Sequence, residues 1–180
     1  SKDKQYTDED GVLHLSTPMN SDASKRIKEI FADKVFNYSK PVELVAKLIE
    51  QVADKDDIIL DSFAGSATTG HAVLTLNNKD EGKRRFILIE MLEEVASKVS
   101  AERLRRVIGG YDKEGDAKKP VPGLGGGFRY CRLGVPLFNE FGDIDGEVSF
   151  PDLAAHVFFA ETGAPIPAKA QVGNAYLGKH

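Results

Sequence analysis

The residues best suited to chemistry lie at positions 58–70, where an apolar run is followed by an acidic, glycine-bearing loop and then by a helical pattern. This order predicts a strand, a tight turn and a helix. At such a junction the free N–H groups of the helix N-terminus and the carboxylate of Asp61 can bind a small polar cofactor. The stretch therefore predicts cofactor binding, and three cofactor classes compete for it.

Two of these classes are nucleotides bound through phosphate. Gly65 and Gly70 have the spacing of a nucleoside triphosphate loop, but His71 and Ala72 follow where that loop has lysine and a hydroxyl residue. A dinucleotide loop needs a further glycine at the position of Ala67, so that the pyrophosphate can approach the backbone. Both interpretations are weakened, and a nicotinamide-binding domain stays open as an alternative at the level of the fold.

The third class is a cationic nucleoside that carries an amino acid, such as S-adenosylmethionine. Asp61, at the end of the predicted strand, suits the methionine ammonium group. Glu90 ends the next apolar run, residues 86–89, about where a carboxylate that accepts two ribose hydroxyls is expected. The pair of carboxylates favours this third class.

Composition limits the other possibilities. The chain has 180 residues, of which 41% are hydrophobic and 29% charged, as in ordinary soluble domains. Its net charge of −4 argues against a surface that binds nucleic acid throughout. We find no apolar run long enough for a membrane span and no signal peptide, so we expect a cytoplasmic protein without membrane contacts. No metal site is predicted, and the single Cys131 is expected to be buried.

The elements that must position the loop follow from apolar periodicity. Two continuous apolar strands flank one helix, which predicts a parallel βαβ unit whose strands are buried on both faces. Ser39 is interpreted as a helix cap. The arginines at positions 103, 105 and 106, interleaved with glutamates, predict a solvated helix face. Helices are predicted at 25–32, 42–53, 68–77, 92–108 and from 149 to Gly163, and strands at 12–15, 58–60, 85–90 and 128–133.

These motifs together resemble the amino-methyltransferases that modify DNA. The resemblance is strongest to the modification subunits of type III restriction-modification systems, which are adenine-N6 methyltransferases. It covers most of the chain from about Phe31 onward, in the order of the class whose cofactor half follows its catalytic half. The similar stretches are residues 36–44, 60–69, 84–90, 126–130 and 152–159.

The resemblance implies an α/β fold. It would be a partial, Rossmann-like sheet of an S-adenosylmethionine-dependent methyltransferase, with a parallel βαβ core and a C-terminal α+β extension. Residues 1–110 would form the cofactor-binding half with an N-terminal lead-in. Residues 111–127, rich in glycine and proline, would form a flexible link, and residues 128–180 the extension.

The resemblance also implies roles for individual residues. Asp61 would face the methionine ammonium of S-adenosylmethionine, Glu90 would accept the ribose hydroxyls, and Met91 would pack on the adenine. The other implied contacts are Phe63 and Gly65 under the methionine, Ser66, Thr68 and Thr69 at its carboxylate, and Ser39, Lys40 and Pro41 closing the other side.

The sequence departs from the family in two ways. Ala67 stands where the family usually has glycine, and its methyl group is expected to crowd the loop. The catalytic Asp-Pro-Pro-Tyr motif, whose tyrosine stacks on a flipped base, does not occur in these 180 residues. We therefore expect a C-terminal piece of a longer enzyme that does not methylate DNA alone.

The expected partners follow from the same resemblance. They are DNA through the parent enzyme, a second modification subunit and a restriction subunit. An alternative function is a docking or oligomerisation module of such a complex, which would act through the extension at 128–180.

Overall fold

The computed structural model describes residues 5–7, 13–15, 20–134 and 136–167, with side chains from residue 21 onward. The chain divides into two compact units, Ser1–Tyr130 and Cys131–His180. No helix in the described ranges is long and apolar enough to cross a membrane. The elements are β1 (Gln5–Thr7), β2 (Leu13–Leu15), α1 (Asn20–Phe31), α2 (Val42–Val52), β3 (Ile58–Asp61), α3 (Thr68–Asp80), β4 (Arg85–Leu88), α4 (Glu93–Val95), α5 (Glu102–Gly109), β5 (Gly110–Asp112), β6 (Pro120–Pro122) and α6 (Phe150–Thr162).

The predicted βαβ unit is present. Strands β3 and β4 pair in parallel, with Ile58 opposite Arg85 and Asp61 opposite Leu88, and α3 connects them. Within the described residues these two strands form a two-stranded sheet, while β1–β2 and β5–β6 form separate antiparallel pairs. The parallel pairing brings the carboxyl ends of β3 and β4 to one edge.

Two apolar clusters hold the helices against this sheet. Apolar residues recur at helical spacing along α2 and along α3. The apolar stripe of α2 therefore packs on that of α3. The first cluster contains Val42, Ala46, Ile49, Ala72, Val73 and Leu76, and the second contains Ile30, Ala67, Leu74, Leu104 and Val107.

The prediction that the strands are buried on both faces is wrong for this chain. Ile59 and Phe86 pack against the helices, but Ile58, Leu60 and Ile87 point to the other face and are 51%, 61% and 52% exposed. Side chains alternate along a strand, and among the described elements helices pack on one face only. The continuous apolar run therefore leaves one apolar face of the sheet open.

The predicted long helix runs from Glu93 to Gly109 with an internal change of geometry. Its central residues, Ala96–Ala101, form a π-helix between α4 and α5. Such insertions bulge one residue out of the regular helix and occur often at functional sites. This bulge brings Ser100 towards the loop that follows β3.

The segment 111–127, predicted to be a flexible link, contains part of β5, a 3₁₀ turn at Lys113–Gly115 and β6. After β6 the N–H groups of Leu124 and Gly125 donate to the carbonyl oxygens of Val107 and Ile108 at 2.8 and 3.2 Å. These bonds cap the end of α5. A side chain at Gly123 would lie 2.2 Å from the Ile108 oxygen, so this close approach requires glycine.

The C-terminal unit contains the predicted helix, α6. Ser149 caps it by accepting from the Asp152 N–H, and Gly163 ends it in the left-handed conformation. Two other predictions nearby are wrong. Residues 128–133 form no strand, because no described segment pairs with them, and Cys131 is exposed.

Candidate functional site

The predicted loop lies at the carboxyl edge of the sheet, between β3 and α3. Its turn is closed by the Ala67 N–H, which donates to the Ala64 carbonyl oxygen at 2.7 Å. The Ala64 N–H donates to the carbonyl oxygen of Ile89 at 3.0 Å, so the loop is tied directly to the chain that leaves β4. The loop and the end of β4 thus form one continuous rim.

Asp61 and Glu90 are both held against this loop. The Asp61 carboxylate accepts from the Phe63 N–H at 3.0 Å and from the Thr69 hydroxyl at 2.6 Å. The Glu90 carboxylate accepts from the Gly65 N–H at 2.9 Å and from the Leu92 N–H at 3.0 Å. Since each carboxylate oxygen has two lone pairs, both groups keep capacity for a ligand.

The backbone explains why position 67 favours glycine. Ala67 has φ of 58° and ψ of 38°, the left-handed region that costs a residue with a Cβ about 1 kcal/mol. The sequence led us to expect that its methyl group would crowd the loop, but it does not. It is fully buried in the second apolar cluster, against Ile30 and Leu104.

Beneath the loop lies the guanidinium of Arg103, which is completely buried. Its Nη1 donates to the carbonyl oxygen and hydroxyl of Ser66, at 3.0 and 3.1 Å, and to the Thr68 hydroxyl at 3.0 Å. The prediction of a solvated arginine face is therefore wrong for Arg103. It holds for Arg105, which is exposed, whereas Arg106 is partly buried and donates to the Ile30 carbonyl oxygen at 2.9 Å.

His71 completes this buried cluster. Its Nδ1 accepts from Nε and Nη2 of Arg103 at 3.3 and 3.2 Å, so the neutral imidazole carries its proton on Nε2. Burial lowers the pKa of His71 well below its usual value, and the positive charges of Arg103 and Arg26 lower it further. His71 is therefore neutral at physiological pH.

The segment before α2 joins the same cluster. Ser39 is buried and its hydroxyl accepts from the Ser66 hydroxyl at 2.9 Å. It does not cap α2, whose cap residue is Pro41 without a side-chain bond, so the cap interpretation is wrong. Lys40 is exposed, and its carbonyl oxygen accepts from Thr68 at 3.4 Å.

The predicted site residues thus fall into two sets. Asp61, Thr69 and Glu90 lie on the rim and are partly buried. Phe63 and Met91 are 84% and 85% exposed. The hydroxyls of Ser39, Ser66 and Thr68 instead point inward, to one another and to Arg103.

Comparison of the sequence with known proteins assigns the chain to a family. A family model described as DNA methylase matches residues 2–102, more than half of the chain. The chain belongs to the DNA methylase family.

Similarity to individual DNA methylases points the same way. The chain is 32% identical, over 86% of its length, to the type III restriction-modification enzyme StyLTI Mod subunit of Salmonella typhimurium. It is 44% identical over 43% of its length to the EcoPI Mod subunit of Escherichia phage P1. It is also 44% identical over 38% of its length to the type II methyltransferase M.KpnI of Klebsiella pneumoniae. The resemblance to type III modification subunits is confirmed.

The chain spans only part of these relatives. It covers 24% of the StyLTI Mod subunit, 12% of the EcoPI Mod subunit and 16% of M.KpnI.

Sequence reasoning assigned no role at this loop to three residues: His71, Ser100 and Arg103. Ser100 donates its hydroxyl to the Gly65 carbonyl oxygen at 2.6 Å, from the π-helical segment. A signal for Arg103 existed, because it lies four residues from both Val99 and Val107, on the buried stripe of the helix. The contacts of His71 and Ser100 depend on tertiary structure and on the π-helical bulge, and the apolar periodicity of the sequence predicts neither.

Proposed function

We propose that this chain is the S-adenosylmethionine-binding portion of a methyltransferase that modifies adenine N6 in DNA. The observation that carries the proposal is the placement of Asp61 and Glu90 against one loop, at the carboxyl edge of two parallel strands. Ligands of open α/β sheets bind at this edge. Membership of the DNA methylase family and the similarity to Mod subunits support the assignment.

The side chains on the rim suit the chemistry of this cofactor. The half-buried carboxylate of Asp61 can take the methionine ammonium, and Glu90 has lone pairs left for ribose hydroxyls. The first N–H groups of α3 have no partner within the helix and can bind the methionine carboxylate. Exposed Met91 offers an apolar surface to the adenine. The bound cofactor supplies an electrophilic methyl group.

The chemistry of transfer requires residues that these 180 do not contain. The Asp-Pro-Pro-Tyr motif of the family is absent from the sequence, so we assign no catalytic residue to this chain. The open apolar face of the sheet, with Ile58, Leu60 and Ile87, supports packing against another part of the parent protein. We infer that the complete sheet is Rossmann-like and that DNA is recognised through the parent.

Ligand-dependent thermal stability tests the choice of cofactor. A ligand that binds the folded chain raises its melting temperature with ligand concentration. We expect S-adenosylmethionine to raise the melting temperature of this chain and NAD to leave it unchanged. A shift with NAD but none with S-adenosylmethionine would favour the nicotinamide alternative and contradict the proposal.

A second candidate function is self-association through the C-terminal unit. Phe141 is 82% exposed, and Phe159 on α6 is 53% exposed, which is unusual for aromatic residues outside an interface. We propose that this unit contacts a second modification subunit, and that a restriction subunit is a further partner. Sedimentation of the full chain should show a dimer that is lost in Phe141→Ser and Phe159→Ser but kept in Val35→Ser, from the other unit. A monomeric wild type contradicts the proposal.

A further inference from the structure

Among the residues that the structure describes, no carboxylate forms a hydrogen bond or an ion pair with the buried guanidinium of Arg103. Its hydrogen-bond acceptors among the described residues are all neutral: the Ser39 hydroxyl at 3.4 Å, two oxygens of Ser66, the Thr68 hydroxyl and Nδ1 of His71. Burial lowers the pKa of Arg103 to about 10, so the group is still charged at neutral pH.

A second buried arginine shows how this chain satisfies such a charge elsewhere. Arg84 is 7% exposed, and its two terminal nitrogens donate to both carboxylate oxygens of Asp80, at 3.1 and 3.0 Å. Buried charges are normally paired in this way, because an unpaired one is costly to remove from water. The positive charge of Arg103 is an exception placed directly beneath the loop.

The loop hydroxyls fix the position of this charge beneath the loop. Because Nη1 of Arg103 donates to the oxygens of Ser66 and Thr68, those hydroxyls act as acceptors towards it and donate their own protons to other groups of the same cluster. Ser66 donates to Ser39, and Thr68 donates to the Lys40 carbonyl oxygen. The loop therefore stands between a fixed positive charge and the solvent, next to the positive end of α3.

We propose that Arg103 is a positioning residue that makes the 65–68 loop electropositive and so selects the carboxylate of S-adenosylmethionine. It acts through Ser66 and Thr68, because its guanidinium is fully buried and cannot touch a ligand. The inference rests on the proposed function, since it names how the same site recognises one end of its cofactor. The ligand carboxylate then supplies a negative charge above the buried guanidinium.

The test compares two ligands that differ only in this group. S-adenosylmethionine and its decarboxylated form share the adenosine, sulfonium and amine, so their affinity ratio isolates the carboxylate. Titration calorimetry of the full chain should give the wild type a preference for S-adenosylmethionine of about tenfold or more. In Arg103→Gln the dissociation constant for S-adenosylmethionine should rise roughly tenfold while that of the decarboxylated form stays within about twofold.

Two further variants separate charge from folding. Arg103→Lys keeps the charge and should keep the wild-type preference within about threefold. Arg84→Gln removes the other buried guanidinium and should leave the ratio unchanged. If Arg103→Gln does not fold, the inference is tested by the ratio of the two ligand affinities in the wild type and in Arg103→Lys.

The outcomes that overturn the inference are distinct from failure of the proposed function. A wild type that binds both ligands equally, or an Arg103→Gln variant that loses both alike, contradicts the role of Arg103 and leaves cofactor binding intact. A wild type that binds neither ligand contradicts the proposed function and the inference with it.

Discussion

The Arg103 guanidinium donates two hydrogen bonds to the same nitrogen of His71, Nδ1, inside the protein. This geometry fixes the imidazole as a neutral acceptor, because a protonated Nδ1 would face a positive charge at hydrogen-bond distance. The pair links α3 to α5 beneath the loop at 65–68, and it tolerates one positive charge but not two.

Acidification should therefore destabilise the folded chain through His71. Burial and the charges of Arg103 and Arg26 lower the folded-state pKa of His71 below its unfolded value of 6.5. Between these two values the unfolded state binds more protons, so stability is full above about pH 6.5 and falls as the pH drops. We expect a loss of roughly 1.4 kcal/mol per pH unit below that point, measured by guanidinium unfolding.

The variant His71→Gln should show a smaller loss over this pH range, since glutamine does not titrate. His156→Gln is the matched control, because His156 is exposed on α6. If both variants keep the wild-type pH dependence, His71 is not its source.

Replacing Ala67 with glycine should change stability little. Glycine removes the left-handed strain of about 1 kcal/mol but also loses a buried methyl group worth about 0.8 kcal/mol and gains unfolded-state entropy. Ala72 is equally buried but lies in the regular part of α3. Ala72→Gly should therefore cost about 2 kcal/mol in denaturant unfolding. Equal costs at the two positions would show that the conformation of Ala67 carries no strain.

The π-helical bulge should matter for cofactor affinity through Ser100. Its hydroxyl holds the Gly65 carbonyl oxygen at 2.6 Å, whereas the Ser97 hydroxyl bonds only within its own helix, to the Glu93 carbonyl oxygen at 2.7 Å. We expect Ser100→Ala to weaken S-adenosylmethionine binding by about fivefold, the equivalent of one lost hydrogen bond. Ser97→Ala should bind like the wild type, and equal effects at both positions would exclude a role for the bulge.

The open face of the sheet makes a further prediction about stability. Leu60 is 61% exposed and Leu76 is 2% exposed. Leu60→Ala should cost less than about 1 kcal/mol in this chain, and Leu76→Ala about 3 kcal/mol. In a longer parent protein that covers the face, the cost of Leu60→Ala should approach that of Leu76→Ala. A low cost in both contexts contradicts packing on this face.

Much of the fold and part of the site could be predicted from the sequence. The order of β3, α3 and β4 and the carboxylates Asp61 and Glu90 follow from apolar runs and from what ends them. Arg103 was predicted to be solvated because its charge was given more weight than its position on the apolar stripe of the helix. The exposed face of β3 was misjudged because a continuous apolar run does not show which face of a strand the helices of this chain cover.

The most direct test of the account is calorimetric titration of S-adenosylmethionine into the chain and into Glu90→Ala, with Glu94→Ala as control. Glu94 lies on the neighbouring turn and forms an exposed ion pair with Lys98. We expect the wild type and Glu94→Ala to bind alike, and Glu90→Ala to bind about tenfold more weakly, because a charged acceptor is lost. Absence of binding to the wild type, or undiminished binding to Glu90→Ala, would contradict a cofactor site at this loop.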